Sequence, residues 1–141
     1  MTESAGAQEP FPRGMALLVA GAFFMEILDA TIITPAIPRI AESFGVAALD
    51  VNVAISAYLM TVAVLIPVSG WAAARFGIRR VFLCAIVVFT LASVGCAAAA
   101  SLPMLVAMRV LQGMGGAMMV PVGRLAVLRS TGKADLVRAI A

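Results

Sequence analysis

Residues 51–74 contain no charged side chain. As a helix, a run of that length crosses about 30 Å of hydrocarbon. A water-soluble chain of 141 residues has too little interior to hide it. The run is not alone. Residues 81–100 are also free of charge and rich in Ala, Val and Phe, and residues 14–40 and 104–127 are apolar apart from a few ionisable groups. Hydrophobic residues make up 63% of the chain and charged ones only 12%, so lipid is the solvent that fits. Backbone in lipid must satisfy its own polar groups, which leaves helices for spans of this length. The sequence therefore predicts an all-α membrane protein with four transmembrane helices over 14–40, 51–74, 81–100 and 104–127.

The segments between the spans are short. Residues 1–13 are polar and read as a tail. A secretory signal is the competing reading of the first span, but its apolar region would be shorter and would not hold Glu26 and Asp29. Residues 41–50 form an outer loop, 75–80 a compact basic loop, and 101–103 an outer turn in which Pro103 is placed to start the next helix. Pro35 and Pro38 are expected to bend or end the first helix, Pro67 to kink the second, and Pro121 to loosen the fourth. In residues 128–141, Asp135 is placed to cap a helix whose apolar run has barely begun at Ala141. The expectation is a segment leading into a fifth span that the chain lacks.

Charge sets the topology. With four spans, one side carries Arg13, Arg75, Arg79, Arg80, Arg124, Arg129, Lys133 and Arg138. The other carries Arg39 beside Glu42 and Asp50. Lys and Arg favour the cytoplasm, so both ends are expected there, in a multi-pass protein of the cell's inner membrane.

Several function classes are disfavoured. Histidine is absent, which removes the commonest metal ligand, and no metal or other cofactor is expected. No nucleophile–base set or phosphate-binding loop suggests an enzyme. The basic residues cluster between apolar runs without aromatic interleaving, so nucleic acid is not an expected partner. Cys84 and Cys96 lie in one span, about 18 Å apart along a helix, too far to pair with each other.

Three charged groups fall well inside the spans, away from their ends: Glu26, Asp29 and Arg109. Each costs roughly 2.5–3.5 kcal/mol to insert unpaired, so each should face protein or a water-filled cavity. Glu26 and Asp29 are three residues apart and share a helix face. Two carboxylates so close disfavour joint ionisation. If the first helix ends near Pro38 and the fourth starts at Pro103, Asp29 lies about 13 Å and Arg109 about 9 Å below the outer surface. An Asp29–Arg109 pair is then geometrically possible, with Glu26 left as the freer proton carrier. Gln112, Gly113, Gly115 and Gly116 would let another backbone approach the fourth helix closely. Thr31, Tyr58 and Met114 are candidates for a substrate cavity, with helix packing the competing reading for each.

Three stretches together resemble the major facilitator superfamily, and within it the drug:proton antiporter-2 (EmrB/QacA-type) multidrug efflux group. Leu28-Asp29-Ala30-Thr31-Ile32-Ile33-Thr34-Pro35-Ala36-Ile37-Pro38 resembles the pattern Leu-Asp-x-Thr-Ile-Val-Asn-x-Ala-Leu-Pro. Thr34 stands where Asn is usual. Gly70-Trp71-Ala72-Ala73-Ala74-Arg75-Phe76-Gly77-Ile78-Arg79-Arg80 resembles Gly-x-Leu-Ala-Asp-Arg-x-Gly-Arg-Lys/Arg. Here Ala74 replaces the acid and Ile78 a common basic residue. Arg109, Gln112, Gly113 and Gly115 match Arg-x-x-Gln-Gly-x-Gly.

The resemblance implies part of the N-terminal six-helix half of a proton-coupled exporter of lipophilic, often cationic small molecules. It ties Asp29 and Arg109 to proton coupling. It also implies that the loop containing Gly70, Arg75, Gly77, Arg79 and Arg80 gates the conformational change. The implied partners are the lipid bilayer, protons, the substrate and the missing remainder of the transporter, without which four helices should not transport. A small four-helix multidrug transporter acting as a homodimer, with Glu26 as its essential acid, is the alternative. A non-transporting membrane partner protein is another.

Overall fold

The computed structural model describes residues 13–130. The expectations for residues 1–12, and for Lys133, Asp135, Arg138 and the start of a fifth span, lie outside the described residues. Among the described residues there are four helices: α1 (Arg13–Phe44), α2 (Ala48–Phe76), α3 (Ile78–Ala97) and α4 (Leu102–Ser130). All four are long and apolar enough to cross a membrane.

The connections are tighter than the sequence suggests. Helix α1 does not end at Pro35 or Pro38 but runs through both to Phe44. The cost of a missing N–H in a span is less than the cost of leaving a whole turn of backbone unpaired in lipid. The stop comes at Gly45, whose φ of 64° is a left-handed conformation that glycine adopts without strain. There Val46 N donates to Ala41 O at 3.1 Å and Gly45 N to Glu42 O at 3.3 Å, the paired bonds of a Schellman cap. Only residues 45–47 remain of the expected loop. Helix α2 then starts with the Asp50 carboxylate accepting from Ala47 N at 3.1 Å, which satisfies an otherwise orphaned donor.

The expected basic loop contracts to a single residue. Gly77 alone separates α2 from α3, with φ 89° and ψ 139°, a region essentially reserved for glycine. Arg75 therefore lies in the last turn of α2 and Arg79 and Arg80 in the first turn of α3, all three exposed. Helix α3 stops at Ala97 rather than Ala100, closed by Ala98 N donating to Val94 O at 3.0 Å. Pro103 sits in the first turn of α4, where its missing N–H would be unpaired anyway. Pro67 and Pro121 both lie inside their helices.

Helix α4 is the centre of the bundle. It is the least apolar of the four spans and yet the most deeply buried. Its polar residues Arg109 and Gln112 are buried against protein. Small residues allow this. A methyl group at Gly113 would lie 2.9 Å from Tyr58 O on α2, and one at Gly115 would lie 2.8 Å from Phe89 N on α3. The core beside these seams gathers Val19 and Ala22 of α1, Ala73 of α2, Phe82, Ala85 and Phe89 of α3, and Met119 and Val122 of α4.

Candidate transport site

Arg109 projects from the buried face of α4 and meets Asp29 of α1, Nη1 to Oδ2 2.6 Å, with the two side chains 8% and 17% exposed. It is the one ion pair among the described residues. The pair forms although α1 continues six residues past Pro38, which puts Asp29 about 22 Å from the helix end rather than 13 Å. Helix ends were poor markers of depth, but the antiparallel course of α1 and α4 brings the two residues level. The remaining guanidinium donors are not all used: Nε is buried and makes no hydrogen bond.

Tyr58 of α2 is the third member of the cluster. Its ring centroid lies 6.0 Å from Arg109 Cζ, within the range of a cation–π contact. Its hydroxyl points at Gly116, where a methyl would come within 3.0 Å of it. Glu26 reaches the same spot from α1, since that methyl would lie 3.7 Å from Glu26 Oε1. The bare backbone at Gly116 thus leaves room for a carboxylate and a phenol side by side. Glu26 is half-buried and, unlike Asp29, has no cationic partner at salt-bridge distance among the described residues.

Gln112, one turn below Arg109, is fully buried and turns to α3. Its Nε2 donates to Ser93 Oγ at 2.8 Å, and Cys96 Sγ donates to its Oε1 at 3.6 Å. Ser93 Oγ in turn donates to Phe89 O at 2.9 Å. Reading the sequence missed Ser93 and gave Cys96 no partner. Their signal was the spacing of three, which puts them on one face of α3, opposite a membrane-embedded amide that needs partners.

Other candidates do not join this cluster. Thr31 is exposed and returns its hydroxyl to its own helix, 2.9 Å from Ile27 O and 3.0 Å from Leu28 O. Met114 lines an apolar cleft between α2 and α3. Neighbours on a helix need not share a face, and positions 113, 114, 115 and 116 divide among α2, the cleft, α3 and the acid cluster. Gly70 is exposed with open space around it. It lies on α2 about two turns before Gly77.

The comparisons with known proteins agree with this architecture. The family model for the Major Facilitator Superfamily matches residues 19–141. Relatives that carry the provisional name multidrug resistance protein MdtD are close in sequence. The one from Cronobacter sakazakii is 54% identical over 112 residues, covering 79% of this chain and 24% of that protein. The one from Salmonella typhimurium is 48% identical over 123 residues, covering 87% and 26%. The chain spans about a quarter of the length of the curated relatives it matches. This sets aside the small four-helix multidrug family and any enzyme: the chain is a multi-pass membrane protein that belongs to the major facilitator superfamily of transporters.

Proposed function

We propose that the chain forms part of the N-terminal six-helix half of an exporter that moves drugs or other lipophilic small molecules out of the cell in exchange for protons, by alternating access. In this reading both ends of the four-span segment face the cytoplasm and the protein lies in the inner membrane. Substrate class is suggested by the multidrug resistance name that the relatives carry. Orientation is suggested by the charge bias across the spans.

The observation that carries the proposal is the buried Asp29–Arg109 pair between α1 and α4. A guanidinium keeps its proton under all ordinary conditions, so Asp29 is the member that a proton can neutralise. Doing so strands a buried cation, and breaking a buried pair in this way costs about 3–5 kcal/mol. The protein can relieve that cost by moving α1 or by giving Arg109 another acceptor. Glu26, one turn inward on α1, is the acidic side chain placed to take over. Proton entry at Asp29 would thus be tied to a change at the α1–α4 seam. The exposed arginines at Gly77 would steer the opening, without the acidic latch that Ala74 removes.

The test is proton-driven substrate uptake into inverted membrane vesicles, with the chain expressed from its complete open reading frame. Asp29→Asn should abolish uptake driven by a pH gradient while substrate binding persists. Glu26→Gln should weaken coupling. Undiminished coupling in Asp29→Asn would overturn the proposal, and unchanged coupling in Glu26→Gln would remove Glu26 from it.

A further inference from the structure

We infer that the cleft between α2 and α3 holds one acyl chain of an anionic glycerophospholipid, whose phosphate is held by Arg80 at the cleft's mouth. This goes beyond the transport reading and does not depend on which way the protein faces. The cleft encloses about 470 Å³, within the range of small-molecule sites. Its floor is α4 at Met118, and its walls are Leu65 and Phe76 of α2 and Cys84 and Val88 of α3. Arg80 is the one charged residue lining it.

Length and charge together select the occupant. On α3 the lining runs over residues 80–88, about 12 Å along the axis. The hydrocarbon of one leaflet is about 15 Å deep. The cleft therefore matches a single acyl chain entering from one membrane surface. Leu65 and Met114 also border a second, more open groove further along α2 and α4, and that groove has no charged lining residue.

The basic end is complementary to an anion. Arg75, Arg79 and Arg80 surround Gly77, all exposed. Among the described residues none of them is in an ion pair, and the acid expected at position 74 is Ala74. Apolar contact alone cannot choose one lipid from another, because lipid tails are as apolar as the cleft. Selectivity comes from the headgroup, and basic pockets between spans at a membrane surface bind anionic headgroups. One arginine at such a surface contributes about 1 kcal/mol, an enrichment of about fivefold.

The experiment uses the chain expressed from its complete open reading frame and purified in nanodiscs of mixed phosphatidylglycerol and phosphatidylethanolamine. Native mass spectrometry reads the lipids that stay bound, and a lipid-soluble maleimide reads the accessibility of Cys84 in the cleft wall. The expected result is retention of phosphatidylglycerol over phosphatidylethanolamine, reduced about fivefold by Arg80→Gln and kept by Arg80→Lys. Raising the phosphatidylglycerol fraction should slow Cys84 alkylation in the parent chain and in Arg80→Lys. Arg39→Gln, at the opposite membrane surface, should change neither reading. Equal retention of both lipids, or no effect of Arg80→Gln, overturns the inference. So does a Cys84 that is unreactive in every lipid mixture, because protein rather than lipid then fills the cleft.

Discussion

Replacing Gly115 by alanine pits two effects of opposite sign against each other. Alanine is the better helix former by about 0.8–1 kcal/mol. The new methyl, however, would sit 2.8 Å from Phe89 N and 2.9 Å from Ala85 O, where ordinary contact begins at 3.4 Å. The differences, 3.4 − 2.8 and 3.4 − 2.9, require α3 to withdraw by about 0.5–0.6 Å. Both obstacles are backbone atoms, so no rotamer change relieves them. A retreat of that size forfeits about a quarter or more of each dispersion contact along the seam, and overpacking of this kind costs about 1–3 kcal/mol. Gly115→Ala should therefore lose up to about 2 kcal/mol net. Gly21→Ala is the control: nothing lies within 4 Å of its added methyl, so it should gain about 0.4–1 kcal/mol. Thermal unfolding in detergent, followed by circular dichroism, reads the difference. Equal midpoints, or a Gly115→Ala protein more stable than Gly21→Ala, would refute the close-packed seam between α3 and α4.

Two further outcomes follow from the polar contacts. Arg109→Gln should cost about 3–5 kcal/mol of stability because it leaves Asp29 without its cation; adding Asp29→Asn should restore a large part, which a double-mutant cycle by thermal unfolding would detect as coupling well above experimental error. Gln112→Leu removes the donor to Ser93 Oγ and the acceptor for Cys96 Sγ, and should cost about 0.6–1.7 kcal/mol, the range for polar contacts between membrane helices; it should also speed alkylation of Cys96, and unchanged Cys96 reactivity would argue against the contact.

How much of this was legible in the sequence depended on the kind of signal. The four spans were, because charge-free runs and lipid leave one backbone solution. Their ends were not. Pro35 and Pro38 look like terminators in water, whereas the true stop is a positive φ at Gly45, which sequence alone does not distinguish from any other glycine. The basic loop collapsed to Gly77 for the same reason. The Asp29–Arg109 pair was foreseeable because unpaired charge in lipid is costly, and cost narrows the choices of partner. Which way Thr31 and Met114 face was not legible, because a residue's face on its helix depends on crossing geometry, and adjacent residues of α4 point to three different neighbours.

The seams of α4 differ in what can break them. Against α2 and α3, backbone meets backbone at Gly113 and Gly115, and the polar bonds across α3 come from an amide, a hydroxyl and a thiol. Among the described residues neither seam contains an ion pair. Against α1 the middle of the contact is a carboxylate and a guanidinium, while Leu17, Phe24, Ile27, Leu28 and Ile32 of α1 face outward. If protons act at Asp29, as proposed, they can weaken one of these seams and leave the other two intact. A ligand shifts an equilibrium only by its differential interaction with the two states, and the proton's differential interaction lies at the α1–α4 contact. The conformational change should then carry α1 relative to a fixed unit of α2, α3 and α4, with the close glycine contacts serving to keep that unit rigid while the charge pair opens and closes.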